Sequence, residues 1–177
     1  MRALVFIACF ASPVWADCPA VADRSAALDA LYLDIQNADD QTTGLTLGQK
    51  LWEFWTDAPD VTAQEILDRG MQRRSQYNFL GAMKDFDRLV AYCPHYAEGY
   101  NQRAFVNFLR YEFEAALPDL DRALELSPRH LGALSGRAMT FMALGRDFEA
   151  QRDLRAALAL NPWLPERAYL LNLEEEL

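Results

Sequence analysis

Residues 63 to 164 read AQEILDRGMQRRSQYNFLGAMKDFDRLVAYCPHY (63–96), AEGYNQRAFVNFLRYEFEAALPDLDRALELSPRH (97–130) and LGALSGRAMTFMALGRDFEAQRDLRAALALNPWL (131–164), three blocks of 34 residues with no gap between them. Aligned on one another, they place a proline near the end of each block, Pro94, Pro128 and Pro162. Small residues recur at the eighth and twentieth places: Gly70 and Ala82, Ala104 and Ala116, Ala138 and Ala150. Within each block the apolar residues follow helical spacing, first over about 14 residues and then, after a short turn, over a second stretch ending near the proline. Gly145 marks that turn in the third block, while Tyr77 to Phe79 and Tyr111 to Phe113 hold it in the first two. A two-helix unit of this size cannot bury its own apolar face, so successive units must stack. The expected fold is all-α, a right-handed α-solenoid of antiparallel helix pairs.

The flanks read as caps on that array. Leu28, Leu31, Tyr32 and Ile35 recur at helical spacing and predict an amphipathic helix over Val21 to Ala38, ended by a polar turn at residues 39–44. Thr46 with Gln49 reads as a capping box for a second helix, whose apolar stripe is Leu47, Leu51, Phe54 and Trp55, widened by Trp52, and which Pro59 stops. Residues 17–62 are thus expected to form a degenerate pair covering the open end of the array before the first block. Thr62 with Glu65 reads as the capping box that starts that block. Pro118 falls early in a second helix, where it removes one backbone donor. Residues 165–177 are expected to form a capping helix from Glu166 to about Leu173, laying Tyr169, Leu170 and Leu173 on the last unit.

Composition narrows the function. The formal charge is -9 over 177 residues, and phosphate attraction supplies most nucleic-acid affinity, so DNA, RNA and anionic membrane surfaces are excluded as leading partners. Residues 1–16 read as a secretory signal peptide: Arg2 at the start, the apolar run Ala3 to Ala11, and Val14-Trp15-Ala16 before the cleavage point. That run is too short to span a bilayer, and no later segment is long and apolar enough, so the mature chain is expected to lack a transmembrane segment and to be periplasmic or secreted. Cleavage leaves two cysteines, Cys18 and Cys93. In an up-down array the positions just before the first helix and at the end of a second-of-pair helix fall at the same end of the stack. A Cys18–Cys93 bridge is therefore open to the chain, the alternative being a buried Cys93 and a Cys18 in a frayed tail.

These registers resemble the tetratricopeptide repeat (TPR) family, whose 34-residue unit carries small residues at places eight and twenty, a large apolar residue at twenty-four and proline near the end. Phe86, Leu120 and Leu154 stand at the twenty-fourth place and Leu89, Ala123 and Ala157 at the twenty-seventh. The family's tryptophan at the fourth place is replaced by Ile66, Tyr100 and Leu134, which keep apolar bulk. The stretches 50–55, 96–99 and 128–134 also look like small exported TPR proteins of Gram-negative bacteria. The resemblance implies a concave groove, lined by the first helix of each pair, that takes a peptide or helix. The positions that would face it are Leu67, Met71 and Arg74, then Asn101, Gln102, Phe105 and Phe108, then Ser135, Met139 and Met142. Members that grip a C-terminal carboxylate use cations and asparagines at places here held by Leu67, Met71, Gln102, Gly132 and Gly136, so a carboxylate clamp is not expected.

Arginine at the seventh place, Arg69, Arg103 and Arg137, recurs with aspartate at the twenty-third, Asp85, Asp119 and Asp153. That joint recurrence favours an internal ladder of ion pairs over a basic ridge for an acidic ligand. The only histidines, His95 and His130, lie 35 residues apart beside repeat-closing prolines with no nucleophile motif near them. No enzyme activity, cofactor or metal site is expected. The leading reading is a non-enzymatic scaffold for another envelope protein, the second a structural or self-associating unit whose groove is filled by its own chain or a second copy.

Overall fold

A computed structural model describes residues 18–171; the signal-peptide reading of residues 1–16 lies outside the described residues, as does the end of the C-terminal capping segment. Eight α-helices and one 3-10 turn make up the described chain, with no strand among the described residues. They are α1 (Ser25–Gln36), α2 (Gln41–Thr56), α3 (Val61–Ser75), α4 (Phe79–Tyr92), α5 (Ala97–Leu109), α6 (Phe113–Leu126), α7 (Leu131–Ala143), α8 (Asp147–Leu160) and the 3-10 turn at Pro165–Tyr169. α3 pairs with α4, α5 with α6 and α7 with α8, and each pair stacks on the next, which leaves α3, α5 and α7 side by side.

The small residues set that geometry. Gly70, Ala104 and Ala138 on the first helices and Ala82, Ala116 and Ala150 on the second are all buried, and Phe86, Leu120 and Leu154 fill the crossings. A Cβ on Gly70 would lie 2.5 Å from the Phe86 ring, so in that pair the close approach depends on a hydrogen where other units have a methyl. The fifteenth place of every unit turns the chain with positive φ: Tyr77 at 61°, Tyr111 at 62° and Gly145 at 69°. Two exposed tyrosines therefore occupy a left-handed conformation that costs an L-residue about 1–2 kcal/mol. Tyr111→Gly should raise stability by up to about 1 kcal/mol and Gly145→Ala should lower it by about 1 kcal/mol, both read as shifts in urea midpoint.

The arginine–aspartate ladder is present and has an extra rung. Arg103 holds Asp119 of its own unit through Nε and Nη2 at 2.8 and 2.7 Å, and reaches back with Nη1 to Asp87 of the preceding unit at 2.9 Å. Arg137 repeats the pattern on Asp153 and, at 2.7 Å, on Asp121. Arg69 and Arg73 share Asp85 in the first unit. Arg103 and Arg137 thus fix both the crossing within a pair and the stacking of one pair on the next, which favours one register more than it adds net stability.

Both helix starts read as capping boxes move upstream. Asp60, not Thr62, caps α3, accepting from the Ala63 amide at 2.7 Å. Asp40 caps α2 by accepting from the Thr43 amide at 2.8 Å, so the stretch expected to be a turn is the first turn of α2, and Thr46 lies inside the helix bonded to the Thr42 carbonyl. In both cases an aspartate in extended conformation precedes the threonine and reaches the third amide first.

The N-terminal pair does not cap the open end of the array. α2 barely touches α3; α1 and α2 instead fold over the second and third units, where Leu28, Tyr32, Ile35 and Leu51 join Ala97, Leu124, Leu131 and Leu134 in one core. Tyr32 donates to the Arg129 carbonyl, Gln36 to the Ala159 carbonyl at 2.8 Å, and Trp163 Nε1 to the Ile35 carbonyl at 2.9 Å. The Trp163 indole lies against Gly44, where a Cβ would approach within 2.3 Å. Cys18 and Cys93 form a disulfide, Cα to Cα 5.1 Å, which ties the start of this pair to the end of α4.

At the other terminus the expected helix is a five-residue 3-10 turn followed by extended chain. Gln151 explains the change: its Nε2 donates to the Tyr169 carbonyl and its Oε1 accepts from the Leu171 amide, both at 2.9 Å. Those backbone groups are held by a side chain of α8 and do not continue a helix.

Candidate functional site: a cavity between α2, α5 and α7

On the side of the array where the first helices lie together, α5 and α7 face Trp52 of α2 across a cavity of about 340 Å³. Phe105 and Phe108 of α5 and Met139 of α7 supply its apolar wall, with Leu120 behind them. Asn101, Gln102, Ser135 and Thr140 supply polar groups, and Glu166 enters from the 3-10 turn. Gly132 and Gly136 keep the α7 side open, since a Cβ on either would stand 3.3 Å from Asn101 or Leu120. Phe105 and Trp52 remain 40% and 43% exposed, so large apolar surface is left uncovered at the mouth.

Beneath this cavity a buried polar cluster holds α5 in place. Glu98 is wholly buried; its Oε2 accepts from Asn101 Nδ2 at 2.9 Å and its Oε1 from Gln102 Nε2 at 2.5 Å. His130 Nε2 stands 2.9 Å from Glu98 Oε2. His130 also caps α7, its Nδ1 accepting from the Ala133 amide at 3.2 Å, which places the proton of a neutral ring on Nε2 facing Glu98. Trp55 stacks on the imidazole with ring centroids 4.3 Å apart. Burial of this pair, the cap on α7 and the Trp55 stack suit a structural clasp between the second and third units and the N-terminal pair.

Six residues expected at the groove come together here: Asn101, Gln102, Phe105, Phe108, Ser135 and Met139. The other four do not line it. Leu67 is fully buried in the core of the first unit, a correction that follows from its contact with that unit's own second helix, and Met71 packs half-buried against the same core. Arg74 stacks on Phe105 at 4.6 Å outside the cavity, where burial lowers its pKa and the charge of Glu98 opposes that shift. Met142 stays half-exposed beyond the α7 end of the wall. Sequence reasoning missed Trp52 and Glu166 as walls, because both come from segments outside the repeat register.

A larger cavity of about 530 Å³ lies under residues 20–25, bounded by the end of α2 and the loops at 95–98 and 126–129. The arginines at its edge are already engaged, Arg24 with Asp57 and the Phe54 carbonyl, and Arg129 with Asp29. Exposed His95 lies on its rim, apart from buried His130 in both burial and partners. Among the described residues no group of His, Cys, Asp and Glu is arranged to hold a metal ion, and no helix is long and apolar enough to cross a membrane.

No family model matches the sequence, and no curated protein matches it. Solved structures do. The chain is similar to the first TPR of Spaghetti (RPAP3) bound to the HSP90 peptide SRMEEVD, at 23% identity over 60% of this chain and 85% of that one, with a TM-score of 0.59. It is similar to the TPR2B domain of yeast Sti1 in complex with an Hsp70 peptide, at 24% identity over 57% of this chain and 81% of that one, TM-score 0.55. The TPR2AB domain of yeast Sti1 in its HSP90 complex aligns at 21% identity with 77% of this chain and 56% of that one, TM-score 0.55. At these identities the likeness speaks to the fold, which is an all-α solenoid of TPR type.

Proposed function

We propose that the protein is an exported, non-enzymatic scaffold that holds an apolar peptide or helix of another envelope protein in the cavity between α2, α5 and α7. The observation that carries this reading is the pairing of Phe105 and Met139 on neighbouring first helices, opposite Trp52, around an open cavity with exposed aromatic surface at its mouth. Aromatic and methionine side chains suit adaptable apolar recognition. The similar TPR domains named above were solved with peptides, which is in keeping with a binding role on this fold. Export is supported by the leader-like residues 1–16 and by the Cys18–Cys93 bond, a linkage that persists in oxidising compartments.

The test compares wild type with a Phe105→Glu, Met139→Glu double variant in crosslinking and pull-down from an envelope fraction, after circular dichroism shows the variant folded. A protein captured by wild type should be lost, by about a hundredfold or more if both side chains are anchors. Equal capture would move the site off this face. A second reading, in which the groove is occupied by the protein's own chain or another copy, draws on Trp52 and Glu166, two walls that come from outside the repeats. Light scattering separates them: a concentration-independent monomer, unchanged when residues 172–177 are removed, speaks against self-occupation.

A further inference from the structure

The buried polar atoms of the cavity lining that lack a partner, Gln102 Oε1 and Glu166 Oε2, are both acceptors. Gln102 is wholly buried and donates from Nε2 to Glu98, and no donor among the described residues reaches its Oε1. Asn101 likewise donates from Nδ2 to Glu98. The Ser135 hydroxyl donates to the Leu131 carbonyl at 3.1 Å and the Thr140 hydroxyl to the Gly136 carbonyl at 2.7 Å, which leaves lone pairs only. Glu166 adds a carboxylate whose Oε2 is buried without a donor, and it is the one charged residue among those lining the cavity. Unpaired buried acceptors are costly, a carboxylate oxygen above all. The occupant that satisfies these two oxygens brings donors.

From this we infer that the cavity takes the side chain of a lysine or arginine carried within an apolar segment of the partner, its cationic head donating to Gln102 Oε1 and Glu166 Oε2. This rests on the binding role proposed above and specifies its chemistry. Ammonium and guanidinium groups are donors only, and their aliphatic stems pack against apolar walls such as Phe105 and Met139, with aromatic faces attracting the charge. The chain's charge of -9 acts in the same direction at long range. A carboxylate-rich tail would face the Glu166 carboxylate and the unpaired Gln102 oxygen. Arg74 Nε, a buried donor without a partner among the described residues, lies outside the cavity against Phe105, where a backbone carbonyl of the emerging segment would meet it.

The experiment uses fluorescence anisotropy with three pools of acetylated, amidated nonapeptides. Each pool carries mixed leucine, phenylalanine, alanine and serine around a fixed central lysine, norleucine or glutamate. Wild type should bind the lysine pool about tenfold more tightly than the other two. Glu166→Gln, a change on a surface 3-10 turn, should bring lysine and norleucine to within about twofold, and Glu166→Lys should put the glutamate pool ahead. Equal wild-type binding of the lysine and norleucine pools overturns the cation assignment and leaves the apolar groove standing. A glutamate preference in wild type also overturns it. Binding of no pool overturns the groove reading together with it.

Discussion

Breaking the Cys18–Cys93 bond by Cys18→Ala lowers the free energy of unfolding by about 4 kcal/mol, the chain-entropy value for a loop of this length. The two cysteines stand 75 residues apart and the bond joins a segment before α1 to the end of α4. Without it the unfolded chain regains the freedom of that loop, and the N-terminal pair keeps only its contacts with the second and third units. Cys18 is the position to change, because Cys93 is buried in the core of the first unit and its replacement would add a packing loss. Urea unfolding of wild type with and without reductant should show the same loss, while Cys18→Ala should not respond to reductant. A wild type with two titratable thiols and no response would contradict the expectation.

The second large effect is expected at Glu98. Glu98→Leu removes the acceptor for Asn101 and Gln102 and the group that faces His130 Nε2, all in a region closed to water. Each stranded donor costs about 1–3 kcal/mol, offset in part by no longer burying a carboxylate, so the net loss is about 3 kcal/mol. For a chain of this size that lowers the melting temperature by roughly 6–12 °C. Glu98→Gln should fall between the two, since it restores one acceptor oxygen and sets an amide against the remaining donors. A loss under about 1 kcal/mol for Glu98→Leu would show that the cluster is hydrated or loosely packed. Because Glu98 orients Gln102, the same variant should also weaken any ligand held at Gln102 Oε1.

The repeat was legible because it is written three times. Small residues at places eight and twenty, the large ones at twenty-four and the joint recurrence of arginine and aspartate each have a local cause, close helix crossing or ion pairing within a unit, and appear in the structure where the register puts them. The link from Arg103 back to Asp87 was not legible, since aspartate at the twenty-fifth place recurs only twice and gives way to Arg155 in the third unit. Placement of α1 and α2 was not legible for a deeper reason. Leu28, Tyr32, Ile35 and Leu51 announce an apolar face, but amphipathicity carries no address for the surface it meets. The cues for that address were scattered: Gly44 making room for Trp163, Tyr32 at Arg129, Trp55 over His130. Half of the cavity's chemistry followed from the repeat register, and the walls at Trp52 and Glu166 depended on that long-range docking.

Binding at the cavity between α2, α5 and α7 is tested most directly by site-specific photocrosslinking. p-Benzoylphenylalanine is placed in turn at Phe105, at the mouth of the cavity, and at Leu80 on α4, which is exposed and does not line it. Irradiation of the envelope fraction should yield a defined adduct from position 105, lost when Met139→Glu is added, and none from position 80. An adduct from position 80 with none from position 105 would rule out this cavity as the binding face and place recognition on the second helices of the array.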